Sequence, residues 1–184
     1  MDTNTEVKRL FIGLPLPEHF SDELFEFQLL YENMQGIRWI PKNNLHITTC
    51  FIGDVEIEKV TEINSKLKII QKKYEAFFLD FDKLCYAPKG KKAYMVWAKF
   101  FCNELFNKLS NDIKEQILQE KSNNKNFIPH ITLARFKKID KSIINFDYPV
   151  ENQHVEIKKM VLYESVLKRT GAEYTVLETY NFLK

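Results

Sequence analysis

The chain has 184 residues, enough for one substantial hydrophobic core or for two small lobes that share an interface. Apolar residues make up 45% and charged residues 28%, the usage of ordinary globular proteins, which argues against a disordered or membrane-embedded chain. The formal net charge is +2, too small for a protein that coats nucleic acid, so any anion site must be local. We expect a single domain that spans 1–184.

The first part of the chain predicts an alternation of strands and helices. Residues 7–14 are rich in bulky apolar groups and end at a pair of prolines, which favours a strand that closes into a turn. Apolar residues then recur at helical spacing over 17–33, where a proline is tolerated in the first turn. A strand is predicted over 45–53, and a second amphipathic helix over 56–74.

The middle of the chain predicts a hairpin followed by a third helix. The segments 76–84 and 93–100 are typical of strands, and the turn residues between them, in 85–92, indicate that they pair. Helical spacing resumes over 103–120. The polar stretch 121–126 is expected to end that helix.

The remaining elements are all predicted strands. One covers "FIPHITLARF", residues 127–136. Two more cover 154–167 and 174–183, and the turn residues 168–173 separate them.

The two halves share an order of elements. Residues 7–52 and 94–136 each contain a strand, an amphipathic helix and then a strand that carries His-Ile-Thr, although the sequences match little outside that motif. This order predicts an α+β fold in which two related lobes face one another.

Each His-Ile-Thr strand offers an imidazole and a hydroxyl on one face. Side chains alternate between the two faces of a strand, so His46 and Thr48 project together, and so do His130 and Thr132. The isoleucine between them takes the opposite, core-facing side. One such motif is weak evidence, because a lone strand histidine is more often a packing residue; two of the four histidines followed by threonine at the same spacing favour a shared site.

The chemistry that these groups suit is phosphoryl transfer without a metal. One imidazole can be neutral and accept a proton while the other is charged and donates one, and threonine hydroxyls can donate to phosphate oxygens. A two-histidine metal site is the competing interpretation, but neither strand has a carboxylate or cysteine at ligand spacing. Nucleophilic catalysis by Cys50 is weaker again, because the sequence shows no activating partner. We therefore expect no metal and no cofactor.

The compartment is expected to be the cytoplasm. The three cysteines are odd in number and lack Cys-x-x-Cys spacing, which disfavours a disulfide framework or a zinc knuckle. The N-terminal segment has acids before its basic pair and an apolar run that two prolines cut short, unlike a signal peptide.

With these paired motifs the chain resembles the two-histidine (2H) phosphoesterase superfamily, and within it the RNA 2′,3′-cyclic phosphodiesterase family, also called 2′-5′ RNA ligase. The resemblance runs through "RLFIGLPLPE", "IRWIPKNNLHITTCFIGDV", "FIPHITLARF" and "LYESVLKRTGAEYTVLETYNF". It implies a bilobal α+β fold of two pseudo-symmetric antiparallel lobes with flanking helices around a central cleft.

The resemblance also implies roles for individual residues. His46 would donate a proton to the departing 3′ oxygen of a terminal 2′,3′-cyclic phosphate, and His130 would accept one from the attacking water. Thr48 and Thr132 would hold the phosphate oxygens, and Arg135 would add positive charge. Strict alternation puts Arg135 on the far face from His130, so its role requires a bulge, a twist or the end of the strand.

The first motif departs from the usual form of the family at two positions. Thr49 and Cys50 stand where an apolar residue and then often a base follow the threonine. The departure leaves His46 and Thr48 intact and puts in doubt any phosphate contact from the position of Cys50.

Further candidates flank the motifs. Arg38, Trp39 and Lys42 precede the first one, and Lys168 and Arg169 lie in the last turn; they could bind RNA phosphates and stack a base, or could be solvated charges and a core tryptophan. The remaining histidines, His19 and His154, lack threonine at the same spacing and are expected to be surface or packing residues.

The expected partner is an RNA with a 2′,3′-cyclic phosphate end, bound by a monomer that needs no membrane or obligate protein partner. The alternatives are the reverse 2′-5′ ligation, action on a 2′,5′-linked oligonucleotide or a small cyclic nucleotide, and a non-catalytic module that binds RNA ends.

Overall fold

The computed structural model describes residues 6–90, 93–120, 126–137, 142–151, 153–169 and 171–183. Its helices and strands are, in chain order, β1 (Val7–Pro15), α1 (Glu18–Leu29), β2 (Ile37–Trp39), β3 (His46–Glu56), α2 (Val60–Gln71), β4 (Phe77–Ala87), β5 (Met95–Phe100), α3 (Glu104–Ile113), β6 (His130–Phe136), β7 (His154–Ile157), β8 (Lys159–Lys168) and β9 (Gly171–Asn181).

The sheet is built symmetrically about β3 and β6. In the described part of the chain the strands follow the order β7-β4-β5-β6-β3-β1-β8-β9, with β2 also paired to β6, and every pairing between these named strands is antiparallel. Moving outward from the centre, β3, β1 and β8 correspond to β6, β5 and β4. The predicted α+β fold of two pseudo-symmetric lobes is confirmed.

The helix of each half packs on strands of the other half: α1 packs on β4 and β5, and α3 packs on β3. Phe20 of α1 contacts Phe81 of β4 and Phe100 of β5, with ring centroids 6.2 and 5.8 Å apart. The third helix, α3, packs on β3, and begins where the Asn103 side chain accepts a hydrogen bond from the Phe106 amide. The halves are therefore joined through a shared core, which forms one continuous cluster of buried residues.

The structure differs from the predictions at two helix ends and at one strand that was not predicted. The first helix ends at Leu29 instead of about residue 33, and the chain then turns through Gly36, whose φ of 82° suits glycine. The short strand β2 follows and was not predicted, because three residues cannot display a period. The third helix ends at Ile113 and continues as one π-helical turn over Lys114–Leu118.

The strand predicted over 154–167 is two strands. Ile157 and Met160 are both buried, yet residues three apart lie on opposite faces of one strand. The chain breaks at Lys158, so that β7 pairs with β4 while β8 pairs with β1. Since these two strands lie near opposite ends of the sheet order, the sheet must curl until its ends meet.

The other predicted strands and the hairpin of β4 with β5 are confirmed. The polar segment 121–126, predicted to end the third helix, lies outside the described residues except for Asn126. Among the described residues, no helix is long and apolar enough to cross a membrane.

Candidate active site

The two motif strands meet at a single ladder pair, Ile47 with Ile131. In an antiparallel pair the neighbours of paired residues face one another in reverse order, so His46 lies beside Thr132, and Thr48 lies beside His130. Both isoleucines are fully buried on the core side. The four predicted motif side chains therefore share the opposite face, where each is half-buried.

Both motif strands contain a β-bulge three residues after the histidine. The ladder of β3 with β1 skips Thr49, and the ladder of β6 with β5 skips Leu133. An inserted residue reverses the face taken by the residues after it. Arg135 consequently lies on the same face as His130, as its exposure between two buried neighbours also indicates. The corresponding position in β3 is Phe51, which is 69% exposed.

Each histidine ring is held by a backbone carbonyl two residues earlier. Nδ1 of His46 lies 2.8 Å from the Asn44 oxygen, and Nδ1 of His130 lies 2.8 Å from the Ile128 oxygen. A carbonyl can only accept, so Nδ1 carries the proton in both rings, and Nε2 holds the lone pair of the neutral form. In His46 this Nε2 lies 3.0 Å from the Thr48 hydroxyl, which donates to it.

His46 packs in an aromatic cage. The ring centroids of Phe11, Tyr163 and Tyr174 lie 4.9, 5.9 and 5.3 Å from the imidazole. A Cβ atom at Gly13 would stand 3.0 Å from Cδ2 of His46 and 3.3 Å from Cε2 of Tyr163. The cage therefore has room for the imidazole only because residue 13 has no side chain.

His130 has a different support. Its ring stacks on Trp97 with centroids 3.7 Å apart and an interplanar angle of 21°. The Trp97 Nε1 atom is buried without a hydrogen-bond partner among the described residues, a cost that the stack must offset. An indole face favours a cation above it, so Trp97 can stabilise the imidazolium form of His130.

A cleft of about 570 Å³ lies beside Phe11 and Tyr174, two of the rings that pack on His46. Tyr174, whose ring contacts His46, forms part of its wall, and so does Arg135. The side chain of Asn44 donates to the Ala172 carbonyl at 3.0 Å and ties the tip of the β8–β9 hairpin to the segment before β3. The cleft is lined among others by Arg9, Phe51, Arg38, Trp39, Leu167 and Lys168.

Comparison with known proteins gives matches along the whole chain. A curated RNA 2′,3′-cyclic phosphodiesterase from Methanocaldococcus jannaschii is 31% identical over 187 residues, which cover 94% of this chain and 99% of that protein. The chain belongs to the RNA 2′,3′-cyclic phosphodiesterase family. The resemblance stated from the motifs is thereby confirmed.

Other comparisons agree with this family. The model of LigT-like phosphoesterases matches residues 14–97, and the phosphodiesterase of Aquifex aeolicus is 32% identical over 78% of this chain and 80% of its own. The fold matches the protein TT0787 of Thermus thermophilus with a TM-score of 0.80, at 25% identity over 95% of this chain and 97% of that one. Apo LigT of E. coli gives a TM-score of 0.79 at 24% identity over 97% and 99% of the two chains.

In this member of the cyclic phosphodiesterase family both motif histidines favour the neutral form. Burial lowers the pKa of His46 to about 4, against the opposing effect of the Asn44 carbonyl, and the charge of His130 lowers it further. The pKa of His130 is also lowered, first by burial and then by Arg135, while the Ile128 carbonyl raises it. The two imidazoles are thus close enough to influence each other, and burial disfavours the charged form of both in the free protein.

Arg135 is placed opposite a second arginine. In the ladder of β2 with β6 its partner is Arg38, and both side chains are exposed. Both guanidinium groups lower the pKa of Tyr174, although burial raises it more. Apart from a 3.3 Å contact of Nη1 with the Met95 sulfur, Arg135 has no hydrogen-bond partner among the described residues.

The further candidates divide between the cleft and other surfaces. Trp39 lines the cleft, but its Nε1 donates to the Tyr31 carbonyl at 3.1 Å, which fixes it in the structure. Lys42 is ion-paired to Asp22 and lines a separate cavity. His19, as expected, is exposed.

The last turn contributes one paired cation to the cleft. Lys168 lines it and forms an ion pair of 2.5 Å with Glu173, whereas Arg169 is exposed in the hairpin turn. His154 is exposed on β7 and contacts Asp80 through Nδ1 at 2.6 Å, as a surface residue would.

The Thr49–Cys50 departure has a structural explanation. Thr49 is the bulge residue, and its hydroxyl donates to the Ile12 carbonyl at 3.0 Å. Cys50 is buried, and burial raises its pKa to about 11, so it supplies neither a nucleophile nor a phosphate ligand. In the described part of the chain, no group of three or more His, Cys, Asp or Glu residues is arranged to hold a metal ion.

Several residues of the site were missed in the sequence, among them Gly13, Phe51, Trp97 and Tyr174. Gly13 carried a usable signal, because a glycine inside a strand often marks close approach by another group. Phe51 could have been found as the counterpart of Arg135 once the motifs were aligned. Trp97 and Tyr174 carried no signal, since they reach the histidines only through pairing with distant strands.

Proposed function

We propose that this protein is an RNA 2′,3′-cyclic phosphodiesterase that hydrolyses a terminal 2′,3′-cyclic phosphate to a 2′-phosphate without a metal. The relatives from Methanocaldococcus jannaschii and Aquifex aeolicus carry the cyclic phosphodiesterase activity in their names. The observation that supports the proposal most directly is the crossed register of β3 and β6, in which each imidazole lies beside the threonine of the other motif. In this proposal the two imidazoles and the two threonine hydroxyls act together on one phosphate group.

In this proposal His130 is the proton acceptor. Its Nε2 removes a proton from the water whose oxygen attacks phosphorus, and the ring becomes an imidazolium. Support for this assignment comes from Trp97, since the stacked indole stabilises the cation that forms. The Nδ1–H bond to the Ile128 carbonyl holds the ring with Nε2 available throughout.

His46 is the proton donor. As the new P–O bond forms and the bond from phosphorus to the 3′ oxygen breaks, Nε2–H of His46 passes its proton to that oxygen. The products are a 2′-phosphate and a 3′-hydroxyl. His46 must arrive protonated although its pKa in the free protein is about 4, and the negative charge of bound substrate supplies the required upward shift.

Thr48, Thr132 and Arg135 bind the phosphate. The hydroxyl of Thr48, which donates to His46 in the free protein, turns to a non-bridging oxygen when substrate binds, and Thr132 donates to the other. Arg135 adds a positive charge on the same face, where the charge on phosphorus-bound oxygens grows in the transition state.

Replacement of the two histidines tests the proposal. His46→Ala and His130→Ala should each lower the rate of cyclic phosphate hydrolysis by about 10²- to 10⁴-fold, the usual contribution of general acid–base catalysis. His19→Ala, on an exposed position of α1, is the matched control. Wild-type turnover in either motif variant would exclude the mechanism, and RNA binding without 2′-phosphate release by the wild type would favour the binding-module alternative.

The proposal also includes a monomeric enzyme in the cytoplasm. The sequence shows no heptad repeat that would favour an oligomer, and its cysteine usage supports the cytoplasm. Light scattering at assay concentration would test the first, and a higher mass that persists on dilution would contradict it.

A further inference from the structure

The arginines of this chain are concentrated in the cleft. The chain has 27 lysines and arginines, of which only Arg9, Arg38, Arg135 and Arg169 are arginines, and the first three line the cleft. Lysine serves the solvated surface, whereas arginine presents a planar fork of donors that matches phosphate oxygens. The distribution therefore indicates an anion that spans several strands.

Two of these arginines stand in a costly arrangement. Arg38 and Arg135 are directly opposite in the antiparallel ladder of β2 and β6, where like charges are destabilising. Neither makes an ion pair with any carboxylate that the structure describes. Both guanidinium groups also lower the pKa of Tyr174 in the cleft wall, so both positive charges act on the cleft. An anion that binds between the two arginines would explain why they lie side by side.

Arg9 extends the same pattern. It stands opposite Asp54 in the ladder of β1 and β3, yet the two side chains form no ion pair within the described structure. The neighbouring Lys8, by contrast, forms an ion pair with Glu164 at 2.6 Å. The cleft arginines are thus left without the carboxylate partners that nearby lysines have.

We propose that Arg9 and Arg38 bind phosphodiester groups of the RNA that lie 5′ to the terminal nucleotide, while Arg135, opposite Arg38, binds the terminal phosphate. This inference rests on the proposed function and names its substrate class: oligonucleotide ends, in preference to a mononucleotide 2′,3′-cyclic phosphate. The terminal phosphate carries a single negative charge and is already served by two threonines and Arg135. Arg9 and Arg38 add more charge than that group requires, and the cleft provides the room for further nucleotides.

Paired substrates test the inference on the wild-type protein. We would compare adenosine 2′,3′-cyclic phosphate with the dinucleotide and trinucleotide of adenosine that end in the same cyclic phosphate. We expect kcat/KM to rise by about tenfold for each phosphodiester bound. The logarithm of kcat/KM should also fall more steeply with the logarithm of salt concentration, by roughly 0.7 for each added phosphate contact.

Variants assign the effect to residues. Arg9→Ala and Arg38→Ala should each reduce the ratio of trinucleotide to mononucleotide kcat/KM by about tenfold and flatten its salt dependence. Arg38→Lys should lie between wild type and Arg38→Ala, because a lysine keeps the charge without the planar fork. Lys68→Ala, which removes an exposed cation of α2, is the control and should leave the ratio unchanged.

The outcomes separate this inference from the function on which it rests. Equal kcat/KM for all three substrates, with turnover that still depends on His46, would overturn the upstream site and leave the phosphodiesterase intact. A ratio that survives both arginine substitutions would overturn it as well. Hydrolysis of none of the substrates would contradict the proposed function itself.

Discussion

Single residues of this protein set the position of each imidazole ring in the two motifs. The two imidazoles have the same carbonyl anchor at Nδ1 but different packing: His46 is enclosed by three aromatic rings, and His130 rests on one indole. Gly13 belongs to this machinery because it leaves the space that the His46 ring occupies. A residue without a side chain is therefore as necessary to the geometry as the histidine.

Gly13→Ala tests this at the residue scale. The added methyl group would meet Cδ2 of His46 at 3.0 Å, so the ring must move by a few tenths of an ångström, away from its alignment with the departing oxygen. We expect kcat to fall by about 10²-fold, the effect of a small misplacement on a positioned group, while the urea midpoint of unfolding changes little.

The control for Gly13→Ala is a double-mutant cycle with His46→Ala. If the methyl group acts only through the imidazole, it should cost nothing further once the imidazole is gone. Equal losses in both backgrounds would show that Gly13 acts elsewhere.

At the scale of elements, the equivalent bulges decide what each motif strand displays. The inserted residue three positions after each histidine moves the later side chains to the cleft face, so that β6 presents Arg135 and β3 presents Phe51. In β3 the bulge residue is Thr49, whose hydroxyl satisfies the Ile12 carbonyl inside the protein. Thr49, which departs from the usual motif of the family, is thus the residue that forms the bulge of β3.

Thr49→Val tests the role of that hydroxyl. The substitution keeps the shape but leaves the Ile12 carbonyl without its donor, so we expect the free energy of unfolding to fall by about 1 to 3 kcal/mol. Urea denaturation measures it, and Thr61→Val, on the exposed face of α2, is the control and should change stability by less than about 0.5 kcal/mol. An equal effect of the two substitutions would contradict the assignment.

On the scale of the whole molecule, the two halves are joined by one ladder pair between β3 and β6, by the pairing of β2 with β6, and by packing. The first helix lies on strands of the second half, and α3 lies on β3. This shared core buries both histidines enough to lower their pKa values. Stability should consequently depend on pH through the protonation of these histidines.

The pH dependence of stability follows from this burial. An unfolded histidine titrates near 6.5, and the pKa of His46 in the folded protein is about 4. Between these values the unfolded chain binds a proton that the folded chain does not, so stability is full above pH 6.5 and falls as the pH drops toward 4. We expect the titration of His46 to lower the free energy of unfolding of the wild type by about 2 kcal/mol when the pH falls from 7.5 to 5. Urea denaturation of His46→Gln at the two pH values should lack this loss, and an equal loss would contradict the assignment.

Catalysis should show the matching shift. The profile of kcat/KM reports the free enzyme, in which both histidine pKa values are lowered, so its bell should be centred on the acid side of 6.5. The profile of kcat reports the complex, where bound phosphate raises both values, and its centre should lie at higher pH. Identical centres would show that substrate does not shift the pKa values of the two histidines. The two limbs of each profile belong to both histidines jointly and not to one residue each.

The sequence alone predicted the chemistry of the site. His46 with Thr48 and His130 with Thr132 could be placed on common strand faces, because the alternation of side chains is a local property of an extended backbone. The duplicated order of elements and the motif pair also predicted the fold and the family. The strand β2 and the break at Lys158 were missed because the first is too short to show a period and the second changes the buried face within a continuous apolar stretch.

The tertiary structure decided which groups meet. The register that sets each histidine beside the other motif's threonine, the bulge that turns Arg135 to the cleft, and the approach of Gly13, Trp97 and Tyr174 all depend on pairing between segments far apart in the chain. Pairing of that kind is set by how two hydrophobic faces fill one shared core, which no single stretch of sequence displays. The gathering of three arginines in one cleft has the same origin, since they come from three strands that only the curled sheet brings together.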